Sequence, residues 1–305
     1  MSEHEIKEKK ALYQPTLVIG LGGTGKQVIL ALKKMIAENS RYGMADYPFL
    51  QLLAIDTDIA TDTCKSEIQT IEAKDLEIDK NKESFSLRVD FNIVPDLNDF
   101  PQIQEWFPES YKHSLIPSEL ERGAGQKKPI GRFTFAWNAS DIYSQLYTRL
   151  SSPVDIGIAK DKAVGSNISG FTNVFICGSV CGGTGAGTIL DTAYMIRKIQ
   201  SQIAGRQIYI YGLIALSSLF DNMQGDANIK PNCYASMVEI DHFMNELNYT
   251  NKNRTFQPGY KNFNQEYVES SENRPFDFPF LFDKTNKEGF SFSTPSAFGE
   301  MAARF

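Results

Sequence analysis

The chain has 305 residues, of which 42% are hydrophobic and 22% are charged, enough apolar material for one large α/β domain or for one such domain plus part of a second. Its 31 basic and 37 acidic residues give a formal net charge of −6, which excludes a global positive field that would recruit nucleic acid or an anionic membrane. No apolar run is long enough to span a membrane and the N-terminus is polar, so we predict a cytoplasmic protein without a membrane span.

A polar tail at residues 1–13 precedes a pattern typical of a strand, a tight turn and a helix. Residues 16–20 are mostly apolar and stop at a cluster of glycines, which predicts a buried parallel strand that enters a turn. Apolar residues then recur at helical spacing from Thr24 to Glu38. We therefore expect a helix that packs one face on the sheet.

Two acidic residues follow the second predicted strand. Residues 49–55 form another buried apolar run, and Asp56 and Asp58 come directly after it. Open α/β sheets bind ligands at the carboxyl ends of their strands, so these carboxylates are expected to face a ligand crevice. The alternative is that they only accept hydrogen bonds from N–H groups of their own loop.

The middle of the chain is less regular. Residues 62–110 are predicted to form a charged, irregular insertion, because charged residues are dense and apolar periodicity is weak at its start. Residues 121–132 are glycine-rich and basic, which predicts a loop able to cover an anion. A helix is predicted to follow as far as Leu150, with Asn138 or Ser140 as its N-cap.

The second half repeats the pattern of strand, glycine-rich turn and helix. The predicted elements are a strand at 173–177, a glycine-rich turn at 178–187, a helix at 189–203, a strand at 208–216, a helix from Pro231 to Asn248, a strand at 278–282 and the start of a helix within 290–305. Strands that alternate with helices specify an α/β fold, here a doubly wound, mostly parallel sheet with helices on both faces, which we place at residues 14–290.

The first glycine-rich turn, residues 20–25, is compatible with several functions. It fits the dinucleotide fingerprint G-x-G-x-x-G, in which glycines let the backbone approach a phosphate at a helix N-terminus. With Lys26 it also fits G-x-x-x-x-G-K, but Gln27 replaces the Ser or Thr of a P-loop. A dinucleotide site also needs an acidic residue about 20 residues after the glycines, at the end of the next strand. The acid at that strand end here is Asp56, which lies farther from the glycines than this spacing. A purely structural tight turn is the third alternative.

The second turn is more specific. Gly182-Gly183-Thr184-Gly185-Ala186-Gly187 resembles the phosphate-binding motif of the tubulin/FtsZ superfamily, [SAG]-G-G-T-G-[SA]-G, with Cys181 in place of the first small residue. The other motifs occur in the superfamily's order: the turn at 20–25, Asp56-Thr57-Asp58 after the second strand, Gly123-Ala124-Gly125, and Asn286 after the last strand. Within the superfamily, the sequence is similar to the bacterial tubulin-like proteins.

The resemblance implies a GTP or GDP site with Mg²⁺. Asp56 and Asp58 would bind the metal, the glycine loops the phosphates, Asp226 the ribose and Asn286 the guanine. The implied cofactor-binding residues are Gly20, Gly22, Gly23, Thr24, Gly25, Asp56, Asp58, Gly123, Ala124, Gly125, Arg132, Gly182, Gly183, Thr184, Gly185, Ala186, Gly187, Asp226 and Asn286. For Lys26 and Arg132, contact with a phosphate and exposure on the surface are both open.

The resemblance also implies assembly. In the superfamily, subunits join head to tail and hydrolysis is completed in trans by a loop that follows a central helix. Residues 291–305 would begin that helix, with the second domain absent, so little turnover is expected from this chain alone and no catalytic residue is assigned. Two alternatives are a non-hydrolysing nucleotide sensor or scaffold subunit of a bacterial multi-protein system, and a Rossmann oxidoreductase that uses NAD.

Overall fold

The fold is built on a parallel β-sheet of six strands. The computed structural model describes residues 13–58, 76–89, 97–115, 123–152, 168–222, 227–245, 274–285, 287–289, 291 and 294–305. Within them the strands are β1 (Thr16–Leu21), β2 (Leu50–Asp56), β3 (Ser84–Ser86), β4 (Phe171–Ser179), β5 (Gln207–Ala215) and β6 (Phe278–Phe282). Their order in the sheet is β3-β2-β1-β4-β5-β6, and every pairing is parallel.

The strand register places three strand ends side by side. Leu21, at the end of β1, is paired with Ile55 in β2 and with Gly178 in β4. The strand order changes direction between β1 and β4, which makes this edge the switch point where doubly wound sheets bind ligands. The central strands are almost wholly apolar because both of their faces are covered, and Ile19, for example, is fully buried.

Helices cover both faces of the sheet. They are α1 (Gly22–Asn39), α2 (Pro101–Gln104), α3 (Lys128–Trp137), α4 (Ala139–Ser151), α5 (Gly183–Gln202), α6 (Ile229–Met244) and α7 (Pro295–Arg304), with short 3-10 helices at Gly43–Asp46, Leu97–Asp99, Glu109–Ser114 and Ser217–Phe220. Helix α7 packs on α1, and α3 packs on α5. In the part of the chain that the structure describes, none of these helices has the length and apolar character needed to cross a bilayer.

The predicted α/β fold is confirmed, with local differences. Helices α1 and α5 begin inside the predicted glycine-rich turns, at Gly22 and Gly183. Strand β3 was not predicted, because its three residues, Ser84–Ser86, carry no alternating pattern long enough to detect. Residues 128–132 were predicted as part of a loop but form the start of α3, with Pro129 in its first turn. Helix α6 ends at Met244 and not near Asn248.

Candidate functional site

The two glycine-rich turns lie next to each other. Helix α1 begins directly after β1, and three residues separate β4 from α5. Strands β1 and β4 are neighbours in the sheet. A Cβ atom placed on Gly22 would lie 3.3 Å from Cβ of Thr184 and 3.5 Å from the backbone nitrogen of Gly185. The turns are distant in sequence, but the N-termini of their helices meet at one edge of the sheet.

Three helices at this edge start without a side-chain cap. The residues at their N-caps are Leu21 for α1, Lys127 for α3 and Gly182 for α5, and none of them accepts a hydrogen bond with its side chain. No acidic residue lies in the first turn of any of the three. The first N–H groups of a helix lack intrahelical acceptors and form the positive end of its dipole. An anion at this edge would satisfy them.

Some glycines of the two turns are needed for close packing. A Cβ on Gly25 would lie 2.5 Å from the carbonyl oxygen of Cys177, and one on Gly187 would lie 2.5 Å from the backbone nitrogen of Arg132. A Cβ on Gly185 would overlap the carbonyl oxygen of Ser179. These glycines let α1 and α5 approach the sheet and let α3 approach α5.

Other glycines border open space. A Cβ on Gly23, Gly125 or Gly182 would meet no atom within 4 Å. Gly125 also has a φ of +53°, which only glycine adopts at little cost. Gly23, Gly125 and Gly182 lie in three different glycine-rich segments. Each segment that was predicted to bind phosphate therefore borders open space.

Beneath the glycines, a chain of buried polar contacts ties the segments together. Nζ of Lys26 lies 3.0 Å from Oδ2 of Asp56. The hydroxyl of Thr184 donates to Oδ1 of Asp56 at 3.2 Å and lies 2.7 Å from the hydroxyl of Thr57. The hydroxyl of Thr57 in turn accepts a hydrogen bond of 2.9 Å from the backbone N–H of Ala124. Because Thr184 donates to the carboxylate, Thr57 donates to Thr184, and the direction of the chain is determined.

The ion pair at the centre of this chain is almost fully buried. The side chains of Lys26 and Asp56 are 2% and 6% exposed. Asp56 also accepts from the backbone N–H groups of Thr57 at 2.8 Å and Asp58 at 3.3 Å, and Lys26 donates to the carbonyl oxygen of Asp58 at 3.3 Å. A buried charge requires such partners. Lys26 is therefore a buried, paired lysine, which differs from the solvated alternative considered for it.

Helix α6 is tied to the same region through Asn232. Its side-chain amide donates to the carbonyl oxygen of Gln126 at 2.7 Å and to that of Cys181 at 3.0 Å. Gln126 has a φ of 56°, which is uncommon for a residue with a side chain, and Asn232 stabilises the turn that contains it. Lys128, on α3, donates to the hydroxyl of Ser236 at 3.1 Å and pairs with Glu239 on α6. Burial lowers the pKa of Lys128, although Glu239 opposes this.

Arg132, for which contact with a phosphate and exposure on the surface were the two alternatives, lies on α3. Its Nε is 3.3 Å from Oδ2 of Asp191 on α5, and its guanidinium carbon lies 4.3 Å from the centre of the Trp106 ring. The ion pair with Asp191 links α3 to α5, and stacking on Trp106 fixes the orientation of the guanidinium. The phosphate contact of Arg132 stays a prediction.

The comparisons with known proteins identify the family. The sequence model of the family described as "Tubulin like" matches residues 17–305, nearly the whole chain. The chain belongs to the tubulin-like family. No curated protein sequence matches it.

Several solved structures are similar to this tubulin-like chain at low identity. TubZ from Bacillus thuringiensis serovar israelensis, as a GTPγS-form protofilament, matches 97% of the chain and 56% of its own length, with 14% identity and a TM-score of 0.48. CetZ2 from Haloferax volcanii, as a GTPγS-bound protofilament, matches 95% and 56%, with 14% identity and a TM-score of 0.46. FtsZ from M. jannaschii matches 74% and 43%, with 16% identity and a TM-score of 0.37. The chain spans about half the length of these proteins.

The structure brings most of the predicted site residues of the tubulin-like chain together. The turn at 20–25, the strand-end residues 56–58, the loop at 123–125 and the turn at 182–187 meet at one edge of the sheet. Asp226 and Asn286 lie outside the described residues. Among the residues described, no three His, Cys, Asp or Glu side chains cluster as a metal cage. The contacts of Thr57 and Asn232 were missed, because each depends on a partner distant in sequence.

Replacement of Asn232 tests how the turns of the tubulin-like chain are held. We expect Asn232→Ala to lower the free energy of unfolding by about 2 kcal/mol, because two carbonyl oxygens lose their donor. Urea unfolding followed by circular dichroism measures the change. Lys230→Ala is the control, since Lys230 is exposed on the same helix. Equal stability of the two variants would show that Asn232 does not hold the turns.

Proposed function

We propose that this tubulin-like chain binds one guanine nucleotide, GTP or GDP, with Mg²⁺ at the shared edge of β1, β2 and β4. The observation that carries the proposal is the meeting of two helix N-termini without side-chain caps, one after each glycine-rich turn. Membership in the tubulin-like family supports guanine over other bases.

The phosphates would lie over the glycines that border open space. Gly23 and Gly182 lie in the two turns and would let oxygens approach the first N–H groups of α1 and α5. Gly125, with the adjoining Ala124, would cover the terminal phosphate from the third segment. Thr184 is already bonded to Asp56, so its side chain positions the start of α5 and its backbone N–H remains for a phosphate.

Asp56 and Asp58 lie at different positions relative to the proposed phosphate site. Bound Mg²⁺ would neutralise phosphate charge and orient the terminal phosphate. Asp58 is half-buried and its Cβ lies 3.5 Å from the position a Cβ would take on Gly123, so it borders the proposed phosphate site. Asp56 is engaged by Lys26 and Thr184, so it supports the site from beneath. We propose Asp58 as the acid nearer the metal, with Asp56 holding the loop that carries it.

The burial of Asp56 argues against the NAD alternative. In a dinucleotide fold the acid at the end of β2 hydrogen-bonds a ribose hydroxyl, which requires an accessible carboxylate. Asp56 is 4% exposed, and both of its oxygens have partners within the protein. Titration calorimetry with GTP, ATP and NAD discriminates between the ligands. We expect GTP to bind and NAD not to bind, and the opposite result would overturn the proposal.

Gly23→Ala is expected to separate binding from stability. A Cβ at this position meets no protein atom, and alanine is favoured over glycine in a helix by up to about 1 kcal/mol, so the fold is expected to be as stable or slightly more stable. The affinity for GTP should fall about tenfold or more, because the methyl group fills space needed by a phosphate. Calorimetry and thermal unfolding measure the two effects.

The matched control for Gly23→Ala is Gly170→Ala. Gly170 also borders open space, but it lies before β4, at the opposite end of that strand from the glycine-rich turn. We expect this variant to bind GTP as the unmodified chain does. Unchanged affinity in Gly23→Ala would place the phosphates elsewhere.

We propose further that the chain assembles head to tail, with hydrolysis completed by a neighbouring subunit. Family membership supports this step. Sedimentation in the presence of GTP and of GDP tests it, and polymers that depend on GTP are the expected result. Binding of GTP without assembly would favour the sensor or scaffold alternative.

A further inference from the structure

Two cysteines lie in contact beside the proposed phosphate site. Cys181 directly precedes Gly182 in the second glycine-rich turn, and Cys233 lies in the first turns of α6. Both are buried, and the thiol of Cys181 lies within hydrogen-bonding reach of the thiol of Cys233 and of the carbonyl oxygen of Ala215, the latter at 3.9 Å. The neighbour of Cys233, Asn232, donates to the carbonyl oxygen of Cys181 at 3.0 Å. The contact between the thiols is therefore supported by a second contact between the same two segments.

The environment makes the two thiols chemically different. Hydrogen bonds from Cys181 and from Ser217 lower the pKa of Cys233 to about 6, although burial opposes this. The pKa of Cys181 is raised by its hydrogen bond to Cys233 and by burial. Cys233 is therefore the more acidic thiol of the pair and the better nucleophile. Cys177 provides a contrast, because it is fully buried and burial raises its pKa.

We propose that Cys181 and Cys233 are a redox modification site that forms a reversible disulfide on exposure to hydrogen peroxide. The sulfur of Cys233 attacks peroxide, the O–O bond breaks, and hydroxide leaves to form water with a proton from solvent. The sulfur of Cys181 then attacks the sulfenic acid, the S–O bond breaks, and the oxygen leaves as water with the proton of Cys181. Two thiols are oxidised and one peroxide is reduced to two water molecules.

The disulfide would act on the phosphate-binding turn. Cys181 is anchored in that turn, since its backbone N–H donates to the hydroxyl of Ser179 at 3.0 Å. Covalent sulfurs lie much closer together than two thiols in contact, so the bond draws the turn toward α6. In a consequence that rests on the proposed function, the oxidised chain is expected to bind GTP about tenfold more weakly than the reduced chain.

The first test measures the bond itself and needs no nucleotide. The full chain is treated with hydrogen peroxide, blocked with N-ethylmaleimide, digested without reductant and analysed by mass spectrometry. We expect a linked peptide pair that contains Cys181 and Cys233 and that is lost after reduction by a phosphine. Absence of this pair, or oxidation of Cys233 to sulfinic acid with Cys181 left reduced, would overturn the proposal.

Two variants serve as controls. In Cys233→Ser the linked peptide should be absent and peroxide should leave GTP affinity unchanged. Cys177→Ser should retain the link, because Cys177 takes no part in it. If the linked pair forms but the reduced chain does not bind GTP, the proposed function fails and the redox site stands. If reduced and oxidised chains bind GTP equally, the redox site does not control the turn.

Discussion

Lys26→Met is expected to lower the free energy of unfolding by about 3–5 kcal/mol, because it leaves the carboxylate of Asp56 buried without its counter-charge. The loss should exceed that of an ordinary surface substitution several times over. Asp56 also holds Thr184 and the N–H group of Thr57, so disorder of its carboxylate would loosen the start of α5 and the segment that follows β2. Urea unfolding measures the stability, and calorimetry measures the accompanying loss of GTP affinity.

A second substitution tests whether charge is the cause. The double variant Lys26→Met with Asp56→Asn removes both charges, and its amide oxygen can still accept from Thr184. We expect it to recover more than half of the stability lost by Lys26→Met alone. A double variant no more stable than Lys26→Met would show that the uncompensated charge of Asp56 is not the cause of the loss.

Gly131→Ala is expected to have a similarly large effect through packing. A Cβ on Gly131 would lie 2.6 Å from the carbonyl carbon of Gly183 and would overlap its oxygen. These are backbone atoms, so no side-chain rotation relieves the clash, and α3 must move away from α5. We expect a loss of about 3 kcal/mol or more in the free energy of unfolding, at the upper end of overpacking effects.

The clash at Gly131 should also disturb the site, because α5 begins at Gly183. Thermal unfolding and GTP titration of the variant measure both losses. Gly170→Ala is again the matched control, since its Cβ meets no atom within 4 Å. If Gly131→Ala were as stable as Gly170→Ala, α3 and α5 would not pack as closely at Gly131 as described above.

The fold was largely predictable from local patterns. Strands β1, β2, β4, β5 and β6 each have an apolar run that ends at a polar or glycine-rich segment, and such runs are typical of parallel strands. Strand β3 is too short to carry such a pattern, and the glycines at 123–125 concealed the start of α3 at Lys128. Local sequence predicts an element well only when the element is long enough to show its period.

The sequence predicted where the backbone of the site lies, but it did not predict which side chains contact each other there. The glycine motif at 182–187 indicated where α5 begins, but the motif does not show that Gly182 borders open space while Gly187 packs against α3. Likewise, the sequence offers no sign that Lys26 pairs with Asp56, since the partners are separated by a strand and a helix. Such pairings follow from strand order, which a single sequence does not specify.

The nucleotide carried by the purified protein is the sharpest test of a single guanine nucleotide shared by the two turns. The chain would be purified in the presence of Mg²⁺, denatured by heat, and the released small molecules separated by ion-exchange chromatography. We expect GDP or GTP at about one molecule per chain in the unmodified protein, and much less in Gly23→Ala. Recovery of NAD or of an adenine nucleotide would rule out a guanine site, and equal amounts from both proteins would place the nucleotide away from Gly23.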